Sequence, residues 1–142
     1  MNKSKRSEHD FPLQIRGVPE GYPLKIEKAL IIRKEWLDRI FDDGKIWEMR
    51  SRVNRYQGWI ALIEAGSGLI VGQAFIHASL SPCDEKTLHA GKSFHQVDDF
   101  SLLKKWCYPW QLSMAERYHK PIPYKHPKGA VIWVDVKDQY GF

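Results

Sequence analysis

Apolar positions along this chain change period several times, and each change marks an element. Lys28-Ala29-Leu30-Ile31-Ile32-Arg33 is a compact apolar run with the length and β-branched content of a buried strand. Directly after it, Trp36, Leu37, Ile40 and Phe41 recur at helical spacing, with Asp38, Arg39 and Asp42 on the opposite side. Gly44 supplies a C-cap for that short helix. The next segment, Gly44 to Arg52, carries a lysine, a glutamate and two arginines. If it is extended, alternate side chains share a face. Glu48 and Arg50 then lie on one side and Trp47 and Met49 on the other, with Lys45 at the strand entrance. The apolar face packs and the charged face looks into a groove.

Farther along, Trp59 to Ala65 and Leu69 to Ala78 flank Gly66-Ser67-Gly68 and read as a hairpin. Pro82 to Lys92 reads as a polar loop. Val97, Phe100, Leu103 and Cys107 predict a second amphipathic helix, entered through Ser93 or Asp98-Asp99 and ended by Pro109. Arg117 to Lys128 contains Pro121, Pro123 and Pro127 and is expected to be mostly extended loop. Ala130 to Val136 is a last strand, with Val131, Trp133 and Asp135 alternating against Ile132, Val134 and Val136. At the other end, residues 1–12 read as a flexible basic tail. Pro12 to Pro23, broken by Gly17, Pro19 and Gly21, reads as an irregular arm with at most one short strand. The sum is an α+β fold, a small mixed β-barrel of five or six strands with two or more short helices, filling one domain over residues 13–142. Trp47, Met49, Ile60, Leu62, Ile70, Phe75, Ile132 and Val134 are the expected core.

Composition narrows the picture a little. A length of 142 residues with 43% hydrophobic content suits one core. Net charge is +5, and the pI near 9.2 favours anionic partners on electrostatic grounds. No apolar run approaches the length needed to cross a bilayer, so no membrane partner is expected. The polar start, MNKSKRSEHD, lacks the apolar stretch of a secretory signal. Two cysteines without close pairing argue against a disulfide framework, which makes a cytoplasmic, reducing setting the default. Six tryptophans is a high count; most are expected to serve the core, with a few as candidate stacking platforms.

The candidate chemistry sits in two places. Lys45, Glu48 and Arg50 alone also fit a solvated strand face held by ion pairs worth under about 1 kcal/mol. Their surroundings point further. Arg33, Lys34 and Trp36 precede them, and Ser51, Arg52, Arg55 and Tyr56 follow, so cations and rings crowd one region. Such a region suits a phosphate backbone and a stacked base. A second, acid-free basic patch runs from His119 to Lys128. It offers Tyr124 for stacking and Lys125, His126 and Lys128 for phosphate. His77, inside an apolar strand, reads as a hydrogen-bonded barrel residue. Cys83, His89 and His95 match no compact zinc spacing, so no metal is assigned and no cofactor is expected. Gly66-Ser67-Gly68 is too short for a phosphate-cradling loop, and no nucleophile elbow occurs.

Taken together, these residues resemble the ASCH family of the PUA-like superfamily. Its signature, G-x-K-x-x-E-x-R, follows a strand similar to "ALSIRQPW". Here "ALIIRKEW" spans Ala29 to Trp36, and Lys45, Glu48 and Arg50 match the last three fixed positions. "YQGWIALIEA", "LIVGQAFI" and "PYKHPKGAVIWV" are similar to later strands and to the final loop of longer members. Gly44 stands one residue closer to Lys45 than the signature's glycine does. Small members that deacylate N4-acetylcytidine carry a nucleophilic threonine where this chain has Glu48. The resemblance implies a groove for RNA, another single-stranded nucleic acid or a nucleotide-like ligand, with lysine at its floor. It also implies metal-independent ribonuclease activity in some members.

Three functions follow as expectations. The first is RNA binding in a cationic groove with phosphodiester cleavage. Lys45 acts as base there if burial, or neighbouring Arg33 and Arg50, lowers its pKa, while Glu48 opposes the shift. Alternatively Glu48 or His126 is the base and Lys45 clamps phosphate. The second is an amidohydrolase acting on a modified nucleoside such as an acylated cytidine. The third is a non-catalytic nucleic-acid module.

Overall fold

A computed structural model describes residues 26–140, so the tail and arm expected before them lie outside the described residues. The elements, in chain order, are β1 (Lys28–Ile32), α1 (Lys34–Asp42), β2 (Trp47–Arg50), β3 (Gly58–Glu64) and β4 (Leu69–Ile76). They continue with α2 (Glu85–Ala90), α3 (Lys92–His95), a 3-10 turn (Phe100–Lys104), β5 (Tyr108–Pro123), β6 (Trp133–Asp135) and α4 (Lys137–Tyr140). The strands form one mixed sheet in the order β2-β5-β4-β3-β1-β6. β1 runs parallel to β3, with Ala29 opposite Ala61, and antiparallel to β6, with Ala29 opposite Val134. This is the α+β, barrel-like mixed sheet with short helices that the periodicity predicts.

Two compact units divide the chain, and β4 and β5 each contribute residues to both. Among the described residues, the first comprises 26–32, Trp59–Gln73 and 116–140. Its core gathers Ile26, Ala29, Ala61, Ile63, Ile70, Tyr118, Val134 and Val136. Consecutive residues Ala29 and Leu30 of β1, which point to opposite faces, are both buried, so both faces of the strand are covered and its apolar run is continuous rather than alternating. The β3–β4 turn uses Gly66 at φ +79° and Gly68 at φ +73°, a region closed to most side chains. The Ser67 hydroxyl donates to the Glu64 carbonyl at 2.7 Å and accepts the Leu69 N–H at 2.9 Å.

The second unit comprises Arg33–Gly58 and Ala74–Ala115. α1 buries Leu37 and Ile40, the inner pair of its apolar stripe, and a Lys34–Asp38 ion pair at 2.7 Å bridges one turn on its outside. β2 pairs antiparallel with the start of β5, placing Glu48 opposite Trp110 and Met49 opposite Pro109. Met49, Leu88, Val97 and Leu103 form a small core flanked by Trp36, Trp47 and Phe100. His77 has the expected partner, its Nε2 lying 3.0 Å from the Ser113 hydroxyl.

Four sequence expectations need correction. Pro82 to Lys92 is not a loop throughout: α2 occupies Glu85–Ala90, capped by Asp84, whose carboxylate accepts the Thr87 N–H at 2.8 Å. The helix expected from Val97 to Cys107 shrinks to the 3-10 turn, because Asp99 caps it late and β5 begins at Tyr108. Pro109 therefore sits inside a strand. The extended loop from Arg117 is strand as far as Pro123. β2 pairs with β5 only over Tyr108–Gln111, so Pro121 and Pro123 remove no donor from that pairing. The last strand narrows to Trp133–Asp135. Of the expected core, Trp47, Phe75 and Ile132 are half-buried and the other five are buried.

Candidate functional site

Lys45 leaves α1 through Gly44, which adopts φ +77°, while the Lys45 N–H returns to the Arg39 carbonyl at 3.1 Å. The next residue fixes where β2 starts. The Ile46 N–H donates to the Phe94 carbonyl at 3.0 Å, and the Ile46 carbonyl accepts from Leu112 at 2.7 Å. This turn carries the lysine side chain inward, where it is only 2% exposed. Its Nζ donates to the Trp47 carbonyl at 2.6 Å and to the His95 carbonyl at 2.5 Å. It also lies 4.8 Å from the centre of the Trp36 ring and 4.0 Å from Glu48 Oε1.

Glu48 and Arg50 share a strand face, as alternation requires, and meet there. Arg50 Nε and Nη2 both reach Glu48 Oε2 at 3.0 Å. The guanidinium lies 5.3 Å from the Trp110 ring centre, and Trp110 Nε1 donates to the Arg52 carbonyl at 2.9 Å. Glu48 is 6% exposed. One of its oxygens is thus held by arginine, and the other faces lysine at a separation too long for a hydrogen bond.

The His95 carbonyl is positioned by its own ring. Nδ1 accepts the Val97 N–H at 2.9 Å, so Nε2 carries the proton donated to the Leu88 carbonyl at 2.8 Å. Burial foremost, and then the positive Lys45 nearby, hold this imidazole below its ordinary pKa despite the Leu88 bond. The ring therefore acts as a neutral structural strut.

The pKa of Lys45 is lowered from 10.5 to about 8. Burial is the largest cause, Glu48 opposes it, and Arg39 and Arg50 push the same way as burial. At pH 7 the amine is still charged in about nine molecules of ten. Two of its three protons go to carbonyls, and a neutral amine retains enough protons for both bonds. The remaining position, a proton or a lone pair according to pH, is available to Glu48 or a ligand. A cavity of about 30 Å³ adjoins the pair, lined by Trp36, Lys45, Glu48, Met49, Val97, Leu102 and Trp106. It has room for about one water molecule or one ligand substituent.

The structure brings Lys45, Glu48, Arg50 and Trp36 together. Arg33, the N-cap residue of α1, and Lys34 in its first turn are exposed, and Arg33 pairs with Glu35 at 3.8 Å. Ser51, Arg52 and Arg55 are exposed, and Tyr56 is half-buried with its main chain held by the Asn54 amide. Arg39, rather than Arg33, is the second cation acting on Lys45; it lies 5.4 Å from the Trp36 ring and donates to the Gln96 carbonyl at 2.6 Å. Tyr124, Lys125, His126 and Lys128 belong to the first unit. There His126 Nε2 donates to the Ala130 carbonyl at 2.9 Å, and Nδ1 accepts from the Tyr124 hydroxyl at 2.7 Å. Lys125 and Lys128 are exposed beside that clasp.

Arg39, His95, Val97, Leu102 and Trp106 were not among the residues the sequence singled out for this site. Trp106 offered one signal, an indole directly after Lys104 and Lys105. The role of His95 lies in its main chain and leaves no mark on residue type. No group of three or more metal-ligating side chains is found among the described residues, and no helix there is long and apolar enough to cross a membrane. No family model matches the chain, and no curated protein matches it.

Proposed function

We propose that this chain is an ASCH-like module that binds single-stranded RNA, with one nucleotide meeting Lys45 and Glu48 at the tryptophan-lined cavity. The observation that carries the reading is a cation and an anion, both almost wholly buried, bordering a one-water cavity between two indoles. Burying both charges is costly, and at 4.0 Å their attraction falls short of a close hydrogen-bonded pair. The spare ammonium proton and carboxylate oxygen suit a ligand that presents an acceptor beside a donor, as a base edge does. Trp36 and Trp106 supply stacking surface. Exposed Arg33, Lys34, Arg52 and Arg55 supply phosphate neutralisation.

The test is RNA affinity across a salt series, with wild type beside Lys45→Met and a variant replacing the four exposed cations by glutamine. If all four contact phosphate, removing them flattens the log–log salt slope by about three. Lys45→Met should weaken binding at every salt concentration and leave the slope nearly unchanged. Equal affinity of wild type and both variants would end this reading. Incubating labelled RNA in chelator tests ribonuclease activity in the same samples. Cleavage by wild type but not by Lys45→Met would assign the lysine to catalysis.

A second reading, hydrolysis of an acylated nucleoside, draws on the small volume of the cavity. No hydroxyl or thiol lines it, so water activated by Glu48 or by neutral Lys45 would have to be the nucleophile. Screening acylated cytidines for deacylation decides it, and a flat result removes it.

A further inference from the structure

The two cysteines, far apart in sequence, close the ends of one excursion of the second unit. The Cys83 N–H donates to the Cys107 carbonyl at 2.8 Å. Even with every bond in line, that contact limits their α-carbons to about 7 Å, and real bond angles bring them inside the roughly 4.4–6.8 Å that a disulfide spans. Both thiols are free and half-buried. Both line a cavity of about 520 Å³ with Leu88, His89, Phe100 and Leu103, and the His89 and Phe100 rings stack there at 4.5 Å. This space is ample for a small oxidant.

What lies between the cysteines matters for the candidate site. The stretch 84–106 supplies the His95 carbonyl that holds the Lys45 ammonium. It also supplies Val97, Leu102 and Trp106 to the cavity beside it. The Cys83–Cys107 main-chain hydrogen bond closes the neck of this stretch, and Cys83 packs against the small core of Met49, Leu88, Val97 and Leu103.

We propose that Cys83 and Cys107 are a reversible dithiol–disulfide site, oxidised by a small disulfide of the glutathione class, whose closure clamps the wall of the Lys45 cavity. In the first step one cysteine thiolate attacks glutathione disulfide, forming a mixed disulfide and releasing one glutathione. The second cysteine then attacks the protein sulfur of that mixed disulfide and releases another. Both cysteines lose a proton and are oxidised, and one glutathione disulfide is reduced to two thiols. Burial, with the neighbouring Cys107 and Asp84, pushes the Cys83 thiol up, so the reaction accelerates as pH rises above neutral.

The test is to incubate the reduced full chain with glutathione disulfide under native conditions and measure its mass and non-reduced peptide map. The expected result is a chain lighter by two hydrogens with Cys83 joined to Cys107, restored by dithiothreitol. Cys83→Ser and Cys107→Ser should each stop at the mixed disulfide. Amide exchange across residues 84–106 should slow at least roughly tenfold in the oxidised wild type. Thiols that stay free, or that are each capped by glutathione without joining, would overturn the proposal. A crosslink that leaves exchange in that stretch unchanged would overturn the clamping. Neither result bears on RNA binding, so the proposal stands or falls apart from the nucleic-acid reading.

Discussion

Lys45→Met, followed against pH, tests the description of the site without needing a ligand. Methionine keeps an unbranched side chain in the space and removes the charge. In wild type the amine has a pKa of about 8 folded and about 10.4 in the unfolded chain. The folded state thus binds fewer protons between those values, and stability rises with pH across that window. The cost of burying the charged amine is fully present below about pH 8 and is relieved as the pH approaches the unfolded value. From pH 7 to pH 10 the relief amounts to about 2.5 kcal/mol. Other tyrosines, lysines and cysteines titrate alike in both proteins and cancel in the difference.

The assay is urea unfolding of both proteins at pH 7, 8.5 and 10. Wild type should gain about 2.5 kcal/mol on Lys45→Met over that range. The offset at pH 7 is the balance of two opposed effects: the variant escapes the buried charge but leaves the Trp47 and His95 carbonyls without their donor, at about 1–3 kcal/mol each. The carbonyls do not titrate, so the pH slope reports the amine alone. A difference constant within about 0.5 kcal/mol from pH 7 to 10 would mean that the folded state does not perturb the amine, and the account of the site would fail.

Other outcomes follow from the same geometry. Glu48→Gln removes the one group that raises the Lys45 pKa, so the rise in stability with pH should begin at lower pH, read from the same unfolding series. RNA affinity that depends on the Lys45 ammonium should decline as pH passes through about 8, and a flat binding profile from pH 7 to 9 would remove the ammonium from recognition. Asn54→Ala should cost about 2–4 kcal/mol in urea unfolding, because this buried amide donates to the Tyr56 and His77 carbonyls and accepts the Tyr56 N–H. Gly91→Ala should cost about 1–3 kcal/mol, since its β-carbon would meet Trp47 Cζ3 at 2.5 Å and the Thr87 carbonyl at 3.1 Å.

The first half of the fold was legible because its signals are local and strong. β1 is a continuous apolar run, α1 a helical stripe, and the β3–β4 turn announces itself by two glycines at positive φ. The Glu48–Arg50 pair was legible for the same reason, since two-residue spacing on a strand leaves little choice of face. The second half was not. α2 buries only Leu88 and depends on the Asp84 cap, so its hydrophobic period is nearly absent. β5 continues past residues that locally discourage a strand.

That weakness of local signal explains the largest surprise at the site. Lys45, expected at a strand entrance, is buried because its ammonium donates to His95, fifty residues on, in the stretch whose structure the sequence concealed. Its chemistry therefore owes little to the +5 net charge of the chain. The exposed arginines and lysines act through long-range fields that salt screens, whereas the buried amine acts through desolvation, on which salt has little purchase. Salt should therefore tune how strongly a polyanion is attracted, and pH should tune what happens at the cavity. An affinity that responds to salt alone would make the buried lysine a structural element of the second unit, with ligand recognition carried by the exposed cations.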